Sequence, residues 1–347
     1  MTLPEKMNAL LLKGDGYATA PSDTVLEAMD PYVEIGTISV PDPGEGQVLI
    51  KVAIASINPS DVMFVKGMYG QPRAKGQPAG FEGVGEVVAA GDGKAKGLVG
   101  QRVAFATGVT NWGSWADYAV ADAGACIPLM PGVSDTDAAA MIVNPLTALA
   151  MFDIVKAEGE KAFVLSAAAS QLCKLLMGAA KDAGYRPIAI VRRDDQTDIL
   201  KNAGAAHVLN AEAEDFDEQL TAVMREEKPR IFLDAVAGPL SATIFDKMPK
   251  RARWIVYGKL DPETMPVLQP GQMIFMHKRI EGFWLTAWMR DVDPKRRLEV
   301  VMEAQQRFAS GSWKTDVTAI VPLSEAIDRV SGELAKPNGK VFIKPGA

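Results

Sequence analysis

The hydrophobic pattern changes character twice along the 347 residues. In the first third, short apolar runs are separated by dense Gly and Pro. Residues 48–55 (VLIKVAIA) form the strongest run, and 83–90 (GVGEVVAA) and 102–106 form shorter ones. Between and around them stand Pro41, Pro43, Gly44, Gly46, Gly67, Gly70, Pro72, Gly76, Pro78 and Gly80. β-prone runs punctuated by such turn residues predict a small barrel or sandwich. Near Asp135 the period lengthens. Ser134 is a helix-start signal, and the pattern predicts one helical run to Ala157. Strands then alternate with helices. The strands are 161–166, 187–191, 207–209, 231–235 and 253–258; the helices are 171–183, 196–203, 216–225 and 240–247. Alternation of this kind predicts a parallel sheet covered by helices, with ligands at the carboxyl ends of its strands. The tail mixes again, with a strand at 279–285, helices at 294–310 and 324–335, and a last strand at 339–343. A β domain whose final pieces follow a nucleotide-type sheet is discontinuous. The expected class is α/β, with one domain made of 1–132 and 283–347 and the other of 133–282.

Composition narrows the partners. The net charge of −6 gives no basic footprint for nucleic acid. No run approaches about 18 apolar residues, so no membrane span is expected. Residues 1–7 lack a basic-then-apolar leader pattern, and with two Cys there is no disulfide framework; both point to the cytoplasm. A catalytic zinc needs about three Cys, His or carboxylate ligands. The chain offers His207, His277, Cys126 and Cys173, far apart in sequence, so no metal is expected.

Two segments carry cofactor chemistry. The turn after strand 161–166 reads Ser166-Ala-Ala-Ala-Ser170-Gln171-Leu172-Cys173 and opens a helix. Small residues there let the backbone approach a pyrophosphate at the helix N-terminus, where N–H groups and the dipole favour an anion. The usual G-x-G-x-x-G is absent, with Gln171 and Cys173 standing where glycine is expected. An ordinary Ala-rich βα turn fits the same residues. The next strand ends in Arg192-Arg193, about twenty residues on, where an acidic residue would bind the NAD ribose and Arg accommodates the NADP phosphate. Asp194 and Asp195 follow, and a solvated charged loop is the other reading.

Residues 57–70 (INPSDVMFVKGMYG), 80–91 (GFEGVGEVVAAG), 144–148 (NPLTA) and 282–288 (GFWLTAW) resemble the medium-chain dehydrogenase/reductase superfamily. They are most similar to its mitochondrial-type 2-enoyl thioester reductases, followed by its zinc-free quinone oxidoreductases. The resemblance implies a GroES-like β-rich catalytic domain and a Rossmann-type doubly wound parallel sheet. Zinc alcohol dehydrogenases of this superfamily carry Cys near the 58–61 segment and His in a Gly-His-Glu triplet. Here the triplet is Gly80-Phe81-Glu82, and Phe81 cannot ligate a metal.

The resemblance also implies site residues. Tyr69 matches the family's proton donor, and Tyr69 with Asn58 forms the expected catalytic set. Reducing an enoyl thioester puts hydride on Cβ and a proton on Cα, and a tyrosine hydroxyl can donate that proton. The implied cofactor residues are Asn144, Thr147, Ser170, Gln171, Leu172, Arg192, Arg193, Tyr257, Gly258, Phe283, Trp284, Leu285 and Lys340. The implied cofactor is NADPH, with NADH as the alternative, and the implied assembly is a homodimer. The expected function is NADPH-dependent reduction of an activated C=C bond in a 2-enoyl thioester. A quinone or enone oxidoreductase is the alternative, and a non-catalytic NADPH-binding scaffold or sensor is a third reading that the glycine-poor turn would suit. The loop 106–113 (ATGVTNWG) departs from the family pattern and says nothing about substrate width.

Overall fold

The computed structural model describes residues 3–19, 24–93, 95–108, 110, 112–261, 266, 268–336 and 339–346. Positions 109 and 111 of the 106–113 loop lie outside the described residues. The chain forms two compact units, Met1–Val143 with Val301–Ala347, and Asn144–Val300. No helix among the described residues is long and apolar enough to cross a membrane.

The first unit contains β1 (Lys6–Leu12), β2 (Val33–Ser39), β3 (Gln47–Ser56), α1 (Pro59–Val65), β4 (Glu82–Ala90), β5 (Arg102–Ala106), β6 (Tyr118–Asp122), β7 (Cys126–Pro128) and α2 (Asp135–Ala139). Then come α3 (Val143–Glu158), β8 (Ala162–Leu165), α4 (Gln171–Asp182), β9 (Arg186–Val191), α5 (Thr197–Ala203), β10 (His207–Asn210), α6 (Phe216–Glu227) and β11 (Ile231–Asp234). They are followed by α7 (Pro239–Lys247), β12 (Arg253–Val256), α8 (Pro270–Ile274), β13 (Arg279–Gly282), α9 (Leu285–Asp291) and α10 (Pro294–Ala309). The chain closes with β14 (Val317–Pro322), α11 (Ala326–Leu334) and β15 (Lys340–Lys344), which rejoin the first unit.

The first unit is built around β3. Its apolar residues Val48, Leu49, Ile50, Val52, Ile54 and Ala55 are buried, while Lys51 and Ala53 face solvent. It pairs with β4, β6 and β15, all antiparallel, in a sheet ordered β14-β15-β3-β4-β5-β7 with β6 also on β3. Trp115 and Phe105 anchor the core, and the Trp115 indole donates to the Ser56 carbonyl at 3.1 Å. The returning β15 is the step that matters for the site. Ile57 donates its N–H to the Val341 carbonyl at 3.0 Å, which sets Lys340 beside Asn58 across 282 residues of sequence. Gly85 lets β3 and β4 meet, since a Cβ there would lie 2.2 Å from the Lys51 carbonyl oxygen.

The second unit holds a six-stranded, fully parallel sheet ordered β10-β9-β8-β11-β12-β13. The order in which strands are added reverses between β8 and β11, the switch point at which doubly wound sheets open a crevice for ligands. The four central strands are apolar almost throughout because helices cover both faces. Phe232, Trp254 and Phe245 pack together beneath them.

Two expected elements differ. The single helix predicted from 134 to 157 is α2 and α3, separated at 140–142. The N–H groups of Ile142 and Val143 donate to the Glu82 carboxylate at 3.0 and 2.9 Å, which starts a new helix where the local pattern would continue the old one. The strand predicted over 279–285 ends at Gly282. Its neighbour β12 stops at Val256, whose carbonyl takes the Phe283 N–H at 2.8 Å, and beyond that no strand remains to pair with.

Candidate active site

In the first unit the Asn-Pro-Ser-Asp segment is a helix start. Pro59 opens α1, and the Asp61 carboxylate reaches back to the Asn58 N–H at 2.8 Å. Its other oxygen accepts the Phe81 N–H at 2.9 Å. The Asn58 amide is fully engaged. It donates to Ser56 Oγ at 3.1 Å and Glu82 Oε1 at 2.8 Å, and its oxygen accepts from Lys340 Nζ at 2.5 Å. Ser56 also donates to Glu82 Oε1, at 2.7 Å. Asp61, Glu82, Asn58 and Lys340 are all buried.

Burial dominates the electrostatics of this cluster. It pushes the Asp61 carboxyl up to about 7, helped by the Glu82 charge and opposed by the Asn58 N–H, Lys340 and the Phe81 N–H. Burial also lowers the Lys340 ammonium, against the pull of Glu82 and Asp61. Two carboxyl groups thus surround one cation, and near neutrality Asp61 is partly protonated.

Tyr69 sits in the loop that follows α1, half-buried, with its ring centroid 5.0 Å from that of Phe81. Phe81 in turn packs on Phe64 of α1 at 4.9 Å. Gly67 turns the chain at φ +79, and a Cβ there would lie 2.7 Å from the Ala18 nitrogen. Arg73 ties the loop down by donating to the carbonyls of Val65 at 3.0 Å and Gly16 at 3.1 Å. Arg73, Asp61 and Glu82 escaped the sequence reading as site residues. The Gly-Phe-Glu-Gly segment was the only signal for Glu82, and nothing local marked Arg73.

Zinc does not fit this position. Phe81 offers a ring to Tyr69 and no donor atom. Both Glu82 oxygens accept hydrogen bonds, and neither Cys nor His is among the groups bonded to it. Among the described residues one other grouping, His207 with Glu226 and Glu227, brings three ligand atoms within 4.8 Å. Arg186 occupies it, with its guanidinium on Glu227 at 2.5 and 3.0 Å, and holds that carboxyl down to about 2. His207, at 2.6 Å from Glu227, is hydrogen-bonded into the same cluster from the edge strand β10.

In the second unit the expected cofactor residues other than Asn144 and Thr147 follow the carboxyl ends of β8, β9, β12 and β13. After β8, Ala167 adopts φ +44, a conformation that glycine takes more readily. Ser170 caps α4 by accepting the Cys173 N–H at 3.3 Å. Cys173 is fully buried, its sulfur 3.6 Å from the Ser166 carbonyl oxygen and 3.4 Å from the Tyr257 hydroxyl. The third glycine of a nucleotide turn serves close helix–strand packing. Here the thiol fills that contact from inside, leaving the outer side of the turn to Ser170, Gln171 and the α4 N-terminus. Burial pushes both the Cys173 thiol and the Tyr257 hydroxyl up.

Asp234, at the end of β11, organises this rim. It accepts the Ser166 hydroxyl at 2.5 Å, the Val236 and Ala237 N–H groups at 2.9 and 3.0 Å, and the Trp254 indole at 2.8 Å. Gly258 follows β12, where a Cβ would lie 2.9 Å from the Ala235 carbonyl oxygen. Phe283 and Leu285, half-buried, and Trp284, exposed, follow β13. Arg192 and Arg193 are exposed after β9. Arg193 pairs with Asp195 at 3.3 Å and Asp194 accepts from Asn210 at 2.9 Å, so both acidic neighbours are engaged. Arg192 has no such partner among the described residues. Asn144 and Thr147 lie on the first turn of α3, three apart on one face. Lys340 belongs to the first unit, where its ammonium donates to Asn58.

Comparison with known proteins agrees with both units. Residues 44–131 match the family described as the alcohol dehydrogenase GroES-like domain, and residues 172–299 that described as zinc-binding dehydrogenase. A mitochondrial enoyl-[acyl-carrier-protein] reductase of Bos taurus is 28% identical over 298 residues, covering 84% of this chain and 79% of its own. A Mesorhizobium loti structure, provisionally assigned as an NADPH:quinone reductase, is 65% identical with a TM-score of 0.96 over 99% of this chain and 100% of that one. The Etr1p complex with NADP and crotonyl-CoA shares the fold, at 18% identity and a TM-score of 0.79 over 98% and 99% of the two chains. The chain belongs to the medium-chain dehydrogenase/reductase superfamily of oxidoreductases.

Proposed function

We propose that this protein is an NADPH-dependent reductase of activated C=C bonds, with a 2-enoyl thioester as substrate and Tyr69 as proton donor. The observation that carries the reading is the seating of Tyr69. Its ring leans on Phe81, at the position where a zinc-dependent relative would place a metal ligand, and its loop is tied by Arg73. NADPH, when bound, supplies the hydride to Cβ. Tyr69 gives its hydroxyl proton to Cα as negative charge develops on the thioester enolate. Asn58 has no hydrogen-bonding capacity left for substrate, and in this proposal it is a positioning residue. It holds the start of α1, and with Asp61 it fixes the Phe81 backbone on which Tyr69 rests. Lys340 acts through Asn58 in the same way. Quinone or enone reduction is the second reading, favoured by the 65% identity to the Mesorhizobium loti protein.

In the second unit, Ser170, Gln171 and Leu172 would hold the pyrophosphate, and Arg192 the 2′-phosphate. Because Arg193 is already paired, Arg192→Ala is expected to lower the NADPH-over-NADH preference by about tenfold or more, and Arg193→Ala by less. Fluorescence titration of both cofactors checks this, and an unchanged ratio in Arg192→Ala removes the 2′-phosphate assignment. We also propose a homodimer through the edge strand β13, where Ile280 is exposed and Ile274 and Phe275 of the preceding segment are exposed as well. Light scattering at micromolar concentration is expected to give twice the chain mass; the mass of one chain refutes the assembly.

A further inference from the structure

We propose that the amino-terminal ends of β12 and β13 carry a binding site for a phosphate-bearing anion, at the opposite end of the sheet from the crevice described above. A depression of about 410 Å³ lies there, lined by Glu158, Arg251, Arg253, His277 and Arg279. Arg253 and Arg279 are the first residues of their strands and direct cross-strand partners. Arg251 and His277 occupy the turns that lead into the two strands. These turns are tied together, the Arg251 N–H donating to the Met276 carbonyl at 2.8 Å.

Three observations point to an anion. The first is charge. Arg253 is satisfied, with two bonds to Glu281 at 2.8 and 2.7 Å and Glu158 at 3.5 Å. The side chains of Arg251, Arg279 and His277 have no hydrogen-bond or salt-bridge partner among the described residues. Three guanidinium groups thus share two carboxylates, Glu281 lying near Arg279 as well as Arg253, and the cluster keeps a positive balance in a chain of net charge −6. Like charges directly across a strand pair repel, and a bound dianion would remove that repulsion. Guanidinium forks also match phosphate oxygens two at a time.

The second is the backbone. Arg251 has φ +67 and His277 φ +52, a left-handed conformation in which glycine would be unstrained. Strained positions of this kind gather at ligand sites, where the surrounding structure holds them. Both strained residues here carry phosphate-binding side chains into one depression. The third is what the lining lacks. Its lining is charged and polar throughout, with no aliphatic, Phe, Tyr or Trp side chain to hold the apolar face of a nicotinamide or a quinone. The chemistry on offer recognises the anionic group alone.

The test titrates inorganic pyrophosphate into the full chain by calorimetry, with and without NADPH. The expected result is one saturable equivalent per chain, unmoved by NADPH and weakened at least about tenfold in Arg279→Gln and in Arg251→Gly. Arg251→Gly places glycine at a left-handed position, so its thermal midpoint should equal or exceed that of the parent while binding weakens. No saturable heat, equal binding by both variants, or displacement by NADPH would overturn the site; displacement would put the pyrophosphate on the turn at 166–170. Glycerol phosphate binding more tightly than inorganic phosphate assigns the site to an esterified ligand, and the reverse order to the free anion. The titration without NADPH stands whether or not the reductase reading does.

Discussion

Tyr69→Phe should lower kcat on a crotonyl thioester by at least about tenfold while leaving NADPH affinity unchanged. Phe keeps the ring that packs on Phe81 at 5.0 Å, so the loop and its Arg73 ties are undisturbed. What is lost is the one proton. Hydride addition at Cβ leaves charge on the thioester enolate, and without the hydroxyl that charge must wait for water. A general acid of this kind contributes about 10²–10⁴-fold in well-placed sites. The cofactor reading rests on residues of the second unit, so a fluorescence titration should not change. Quinone turnover offers the contrast, because a quinone takes its proton from solvent after accepting hydride. Loss with the thioester but not with a quinone supports the proposed chemistry. Near-normal turnover of the thioester removes Tyr69 from the mechanism and leaves quinone reduction as the better account.

The largest effect on stability is expected from Glu82→Gln. The Glu82 carboxylate accepts four hydrogen bonds, from Ser56 and Asn58 on one oxygen and from the Ile142 and Val143 N–H groups on the other. Glutamine has one accepting oxygen, so its NH₂ group must face donors whichever way the amide turns. It also strips a negative charge from the surroundings of the buried Lys340. Breaking a buried, hydrogen-bonded charge cluster on one side costs about 3–5 kcal/mol, a large fraction of a domain's stability. The urea midpoint of the first unit should fall accordingly. Lys340→Met should also destabilise, by leaving Asn58 Oδ1 without its donor and two carboxyl groups without a cation. The double variant should lose less than the sum of the two singles, because both act on one cluster. Strict additivity would show that Glu82 and Lys340 do not share a network.

The same cluster gives stability a pH dependence with a definite sign. Asp61 titrates at about 7 in the folded protein against an ordinary 3.8, so folding favours its protonated form. Its contribution is fully present below about 3.8 and is lost as the pH rises through about 7. Lys340→Met removes a charge that holds Asp61 down, so the loss should continue to higher pH in that variant. A set of urea midpoints between about pH 5 and 9 reads this directly.

Much of the fold was legible because it rests on local periodicity. The apolar run at β3 and the alternation from β8 to β12 follow from burial on one or both sheet faces, and these patterns survive any arrangement of the loops. The carboxyl-end location of the second unit's candidates follows from chain direction in a parallel sheet. Less was legible where a partner lies far away in sequence. The break between α2 and α3 depends on Glu82, some sixty residues earlier, and no property of residues 140–142 announces it. Cys173 stood where glycine is expected, which made the phosphate turn look damaged; the structure turns the thiol inward, toward Tyr257.

What the sequence by itself determined is therefore the class of each segment, the discontinuous order of the two units, and the residue types on offer for cofactor and acid. Asn58 and Lys340 mark the limit. Both are expected site residues on the sequence, but whether an amide or an ammonium is free to meet a ligand depends on which donors and acceptors surround it. That is a property of groups brought together by β15 returning to β3. The tertiary structure alone buried Lys340 against Asn58 and placed the Asp61 and Glu82 carboxyl groups around it.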